Sequence, residues 1–220
     1  ALSQLGRVVT AYGECVALPR SPLGFKVGAT LSRDLQGRAL VVCRTPAGTY
    51  GVETTGEWES YLRALSGKKR SRLANLRERA QREHGDWSFS MRDAVPIEVE
   101  SLIEMLMKVE GSGWEAQNGS ALARRPDLQA FFVAYGRRAA ERGRLRVSAL
   151  RFGSVVAAME LAVEAYGRLW SLKIGYDEVF GAVAPGLQLA HATIQAAFER
   201  RLQSYEFLGV VEEWQERWKP

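Results

Sequence analysis

The sequence predicts an α/β (α+β) fold, a mixed and mostly antiparallel sheet flanked by helices, and three observations carry that prediction. Residues 145–174 contain three consecutive β-prone runs separated by short turns, so successive strands pair antiparallel. A helical stretch starting near Gly186 then separates the third run from a last one at 205–208, and a helical crossover makes that last pairing parallel. Ahead of the strands, apolar residues recur at helical spacing in several segments, which read as amphipathic helices.

Residues 1–53 form an N-terminal segment with the weakest signal. Pro19 to Asp34 is rich in Pro, Gly and Ser and reads as loop. RALVVCR (38–44) and GTYGV (48–52), separated by Thr45-Pro46-Ala47, read as a β-hairpin. The character changes at Thr54, which with Glu57 matches a capping box, each side chain satisfying a backbone amide of a first helical turn. Trp58, Tyr61, Leu62 and Leu65, then Leu73, Leu76 and Ala80, predict a long amphipathic helix kinked at Gly67 and ending near His84-Gly85. WSFSM (87–91) alternates like a short strand. Pro96 opens a helix whose buried face is Val99, Leu102, Ile103, Leu106 and Met107. Residues 111–125 read as loop around Trp114. Pro126 and Asp127 then open a helix with Leu128, Phe131, Phe132, Tyr135 and Ala139 on one side. Strands follow at 145–152, 155–165 and 169–174, a helix from about Gly186, a strand at 205–208 and a short helix at 212–218.

Composition narrows the function classes. The chain has 220 residues, 46% hydrophobic and 25% charged, an ordinary globular balance for one to two domains. No run reaches the ~18 apolar residues of a membrane span, and no signal-peptide pattern opens the chain, so a cytoplasmic protein is expected. Ala1 reads as a start processed or trimmed from a longer chain. Cys15 and Cys43 read as buried thiols, since their spacing suits neither a zinc site nor a redox pair. No metal-ligand spacing, Ser-His-Asp arrangement or P-loop lysine motif occurs, and His84 and His191 are read as structural. Of the net charge of +5, the segment between Glu57 and Gly85 carries +4: eight basic residues (Arg63, Lys68, Lys69, Arg70, Arg72, Arg77, Arg79, Arg82) against Glu57, Glu59, Glu78 and Glu83. Such a helix is either a solvated face or an attractor of phosphates, nucleic acid or an acidic substrate.

Five patches carry a family resemblance. Trp58 to Leu62 followed by Ala64 to Arg70 looks like W-x-x-Y-L-x-x-L-S-x-K-x-R. Glu110 to Trp114 with Gly119-Ser120-Ala121 is similar to E-x-S-G-W-K-G-x-x-G-T-A. Lys173 to Glu178 (KIGYDE) is similar to K-x-A-Y-D-E, Ala184-Pro185-Gly186 to S-P-G, and Tyr205 to Gly209 with Trp218 to a closing D-F-L-G and tryptophan. In this order they resemble the GNAT superfamily of acyltransferases, in its cellulose-biosynthesis-associated (CelD/BcsL-like, BioF2-like) branch related to FemAB-type transferases. Glu115-Ala116 stands where that branch usually has Lys-Gly, and Gln215 where a lysine is common.

The resemblance implies the GNAT (acyl-CoA N-acyltransferase) fold over residues 54–220, with residues 1–53 either the remnant of a first GNAT-like half or the start of a shortened member. It implies an N-acyltransferase that moves an acyl group, acetyl first, from acyl-CoA to an amine on a small molecule, sugar or peptide, without a metal. The diphosphate of the cofactor would rest on the turn at Pro185 and Gly186 with the amides of Gly186, Leu187 and Gln188. Asp177 would accept the amine proton, Tyr176 would donate to the leaving thiolate, and Lys173 would pair with Asp177 or meet the substrate. Trp114, Glu110, Ser112 and Glu178 would line the acceptor pocket. Two rivals share the fold: a Fem-like transferase using aminoacyl-tRNA, with RNA held between Arg63 and Arg82, and a GNAT-like protein that binds without catalysis.

Overall fold

The computed structural model describes residues 27–39, 50–110, 125–208 and 214–219. The chain divides into two compact units: Ala1–Thr49 with Gly209–Val211, and Tyr50–Leu208 with Glu212–Pro220. In the first, Val27–Asp34 is a helix (α1) where loop is expected, because the local Pro residues end at Pro22 and nothing after it blocks the helix. Arg38 and Ala39 donate their amides back to the Leu35 carbonyl, closing a turn rather than opening a strand. The rest of the first hairpin arm, both cysteines, and the 111–124 segment lie outside the described residues.

The second unit is built on one six-stranded sheet in the order β1-β6-β5-β4-β3-β2. The strands are β1 (Gly51–Glu53), β2 (Trp87–Asp93), β3 (Leu145–Phe152), β4 (Val155–Ala165), β5 (Arg168–Tyr176) and β6 (Ser204–Glu206). All pairings are antiparallel except β5 with β6, as the crossover helix requires. The helices are α2 (Trp58–Ala64), α3 (Gly67–His84), α4 (Val99–Glu110), α5 (Pro126–Glu141) and α6 (Pro185–Glu199). Short 3₁₀ turns lie at Pro96–Glu98, Glu178–Val183 and Gln215–Trp218.

Three local expectations are corrected. Thr54 does not cap a helix: its hydroxyl donates to the Leu202 carbonyl at 2.6 Å, its amide bonds the Gln203 carbonyl, and Glu57 is the N-cap residue without a side-chain bond. The kink at Gly67 is a full break. Leu65 is extended, Ser66 caps α3 by accepting the Lys69 amide, and the Arg70 guanidinium bonds the carbonyls of Leu62, Arg63 and Leu65 at the end of α2. In α5 the face turned inward is Gly136, Ala139 and Ala140 with half-buried Leu128 and Phe132, while Phe131 and Tyr135 stack on each other in the open. The helix stops with Gly143 at φ +63°, its amide and that of Arg144 returning to the carbonyls of Ala140 and Ala139.

Apolar side chains fall on both faces of the sheet. On one, Leu102, Ile103 and Leu106 of α4 and Ala139 of α5 meet Val147, Met159, Leu161 and Val163. On the other, α6 lies centrally, with Ile194, Ala197 and Phe198 against Trp58, Ala162, Leu169 and Tyr205, and Leu189 against Ala80, Leu150 and Ala158. Burial of this kind stabilises by about 25 cal/mol per Å² of apolar surface, which makes α6 the helix the fold can least lose.

Candidate active site

The sheet opens where its single parallel pairing ends. β6 pairs with β5 only over Arg168–Ser204, Leu169–Tyr205 and Trp170–Glu206. β5 runs on to Tyr176, still paired with β4 on its other side, while the Phe207 amide goes to the Tyr50 carbonyl. Among the described residues the pairing of β5 with β6 does not continue past Trp170, and the edge of β5 beyond it marks the candidate wedge. At its mouth, β5 passes into the Glu178–Val183 turn and then into α6.

Residues of the KIGYDE patch divide between the faces of β5. Tyr176 lies on the α6 side: a Cβ added at Gly186 would stand 3.2 Å from its ring, so the ring packs closely on the start of α6 and a larger residue there would have to push it back. The Tyr176 hydroxyl donates to Glu178 Oε1 at 3.0 Å. Asp177 caps the 3₁₀ turn, accepting the Val179 amide on Oδ1 at 3.0 Å. Lys173 faces the other side, where it pairs with Glu110 of α4. Glu110 is 3% exposed, and α4 comes close enough there that a Cβ on Gly175 would meet Leu106 Cδ1 at 3.1 Å and Glu110 Cβ at 3.3 Å. A buried carboxylate needs such a partner, because stripping its water without one costs several kcal/mol.

The turn before α6 has an unusual entry. Ala184, its N-cap, holds φ +47° and ψ +61°, a left-handed conformation that strains a residue with a Cβ. Pro185 follows as the first helical residue and is buried. The amides of Leu187 and Gln188 both donate to the Ala184 carbonyl, at 3.1 and 3.2 Å, so the Gly186 amide is the one of the three predicted donors that this carbonyl does not take up. The Gln188 side chain is also engaged within the chain. It accepts from Trp87 Nε1 at 2.7 Å and donates to the carbonyls of Val183 at 2.7 Å and Leu76 at 3.3 Å, tying β2, α3 and the turn together. Its part in the turn is support from beneath.

Two features here escaped the reading of the sequence. Arg79 of α3 donates to the Ala182 carbonyl at 3.4 Å while paired with Glu83 at 2.8 Å, which brings the basic helix to the turn. Arg77 lies 4.0 Å over the Trp87 ring. Both join α3 to distant residues, and helical spacing says nothing about which partner a long cation meets. Trp114 and Ser112 lie outside the described residues. Among the described residues no cluster of three His, Cys, Asp or Glu is placed to hold a metal ion, and no helix is long and apolar enough to cross a membrane.

The profile of the acetyltransferase (GNAT) domain matches residues 67–219, and the chain belongs to that family. A conserved protein of unknown function from Bacteroides thetaiotaomicron superposes with a TM-score of 0.55 at 14% identity, over 89% of this chain and 63% of that one. FemX superposes with a TM-score of 0.52 at 11% identity, over 84% of this chain and 61% of its own. At such identities the likeness speaks to the fold alone, and the chain spans a little under two thirds of the length of these solved structures. No match is found among curated proteins.

Proposed function

We propose that the chain is an N-acyltransferase that takes an acyl group, acetyl first, from acyl-CoA and passes it to an amine. The observation that carries this reading is the wedge between β5 and β6, with Tyr176, Asp177, Glu178 and the start of α6 at its mouth. An acyl thioester lying in the wedge would present its carbonyl to the backbone edge of β5 beyond Trp170. Its diphosphate would rest on the Pro185-Gly186 turn, with the Gly186 amide and the positive end of α6 as its partners and Leu187 and Gln188 as the turn's frame.

The chemistry then needs an acceptor for one proton and a donor of another. The amine nitrogen attacks the thioester carbon, and Asp177 takes the proton it sheds. The carbon–sulfur bond breaks and the Tyr176 hydroxyl protonates the leaving thiolate; the proton Asp177 took from the amine then passes by way of Glu178, to which Tyr176 is already bonded, back to the tyrosinate, so that both groups are restored. Lys173 and Glu110 hold the other side of β5 and, with Trp114 and Ser112, are the residues we assign to the amine acceptor.

The test is release of coenzyme A thiol from acetyl-CoA in the presence of a panel of amines. Turnover is expected to fall about 100-fold or more in Asp177→Asn and Tyr176→Phe with fold and CoA affinity kept, the usual scale for loss of a proton-transfer group. Wild-type turnover surviving both changes would remove these residues from the mechanism. A second reading, transfer from aminoacyl-tRNA, is supported by the basic α3. It is weakened by the engagement of Arg63, Lys69, Arg70, Arg77 and Arg79 within the chain.

A further inference from the structure

A glutamate lies in the middle of the sheet where the strand pattern calls for an apolar residue. Glu160 of β4 is 0% exposed, on the α6 side between Ala158 and Ala162. The Tyr205 hydroxyl donates to its Oε1 at 2.7 Å. The hydroxyls of Ser171 and Thr193 lie beside the carboxyl and lower its pKa, and Ser148, directly opposite on β3, brings a further buried hydroxyl, while Glu160 Oε2 and the Thr193 and Ser148 hydroxyls have no hydrogen-bond partner among the described residues. These groups come from β3, β5, β6 and α6, and none of them is a cation. Burial pushes the Glu160 carboxyl above the usual carboxylate range, with the three hydroxyls opposing only in part.

The position of this cluster gives it a consequence for the wedge. Tyr205 is the middle residue of the three that pair β6 with β5, and Ser171 is the first β5 residue beyond them. A parallel contact of three residue pairs is too short to hold an angle by itself. We propose that Glu160 is a positioning residue which, through its bond to Tyr205, fixes the vertex at which the pairing of β5 with β6 ends and so the width of the wedge. The acid side chain suits the task because its carboxyl accepts the buried Tyr205 hydroxyl from β6 while lying beside the hydroxyls of Ser171 and Thr193 on β5 and α6, which no apolar residue of that size does. The inference rests on the acyl-donor reading only for what the wedge receives.

Two measurements separate the two ideas: hydrogen exchange by mass spectrometry over residues 168–176 and 202–208, and calorimetric binding of coenzyme A. Glu160→Gln keeps an acceptor and is expected to stay within about twofold of wild type in affinity. Glu160→Leu and Tyr205→Phe are expected to speed exchange at the vertex selectively, with α4 and β3 protected as before, and Glu160→Leu to weaken coenzyme A binding by about tenfold. Unchanged vertex exchange in both variants, or an equal rise throughout the sheet, overturns the proposal, because either makes the cluster ordinary core. Should Glu160→Leu fail to fold, Tyr205→Phe, which removes one hydroxyl, decides by the same comparison. If wild type binds no coenzyme A, only the donor reading fails, and vertex exchange still judges Glu160.

Discussion

His191 shows how far a residue's surroundings depart from what its letter suggests. It sits 5.1 Å from the Trp58 ring and 6.1 Å from that of Trp218. Burial, with Arg77 adding to it, lowers its pKa to about 4. The folded protein therefore keeps His191 neutral at pH values where the unfolded chain, titrating near 6.5, takes up a proton. Its contribution is intact above pH 6.5 and is lost as pH falls towards 4, by about 3 kcal/mol. Thermal melts from pH 7 to 4 are expected to drop more steeply in wild type than in His191→Leu; parallel curves would contradict this. Glu160 has the opposite sign. Its raised carboxyl favours folding in acid, and that contribution is lost as pH rises through its folded pKa, so Glu160→Gln flattens the alkaline side of the profile. At this scale the sequence indicated which residue types were available. The burial of Gln215 at 3% exposure could not be foreseen from it.

Elements were the most legible level. β3 and β4 match their predicted limits, and α6 begins at Pro185, because alternation and a Pro-Gly helix start are local signals. Misreadings came where a distant group outbid a local one. Thr54 had a cap available and instead bonds Leu202, 148 residues away, since a buried hydroxyl gains more from a carbonyl in the same core. Two substitutions test the joints between elements. Ala184→Gly is expected to raise the melting temperature, because the strain of a left-handed alanine, about 1 kcal/mol, exceeds the added freedom of glycine in the unfolded chain. A lower melting temperature would show the turn to be unstrained. Gly175→Ala is expected to cost about 1 kcal/mol in chemical denaturation, as α4 must retreat from β5 at Leu106 and Glu110.

Across the whole molecule, the charge imbalance of α3 acquires a different meaning. Its cations read in sequence as one attractive stripe. Folded, Arg70 closes α2, Lys69 reaches the Glu216 and Lys219 carbonyls, Arg77 covers Trp87 and Arg79 pairs with Glu83. The stripe is thus used largely to join α3 to its neighbours. Fluorescence anisotropy with a tRNA is accordingly expected to give a shallow salt dependence, a log–log slope of magnitude under about 3. A slope near that of six or more neutralised phosphates would restore the RNA-donor reading.

The sequence by itself determined the order of strands and helices, the antiparallel run followed by a parallel crossover, and the motif patches at the end of β5 and the start of α6. Periodicity, turn chemistry and helix starts act over a few residues, so each is written where it operates. Only the tertiary structure decided that Lys173 and Tyr176 face opposite sides of β5, that the pairing of β6 with β5 ends after three pairs, and that a buried glutamate sits at that vertex. Those facts depend on which distant groups share the same buried space, and desolvation, the force that chooses among them, has no local period to read.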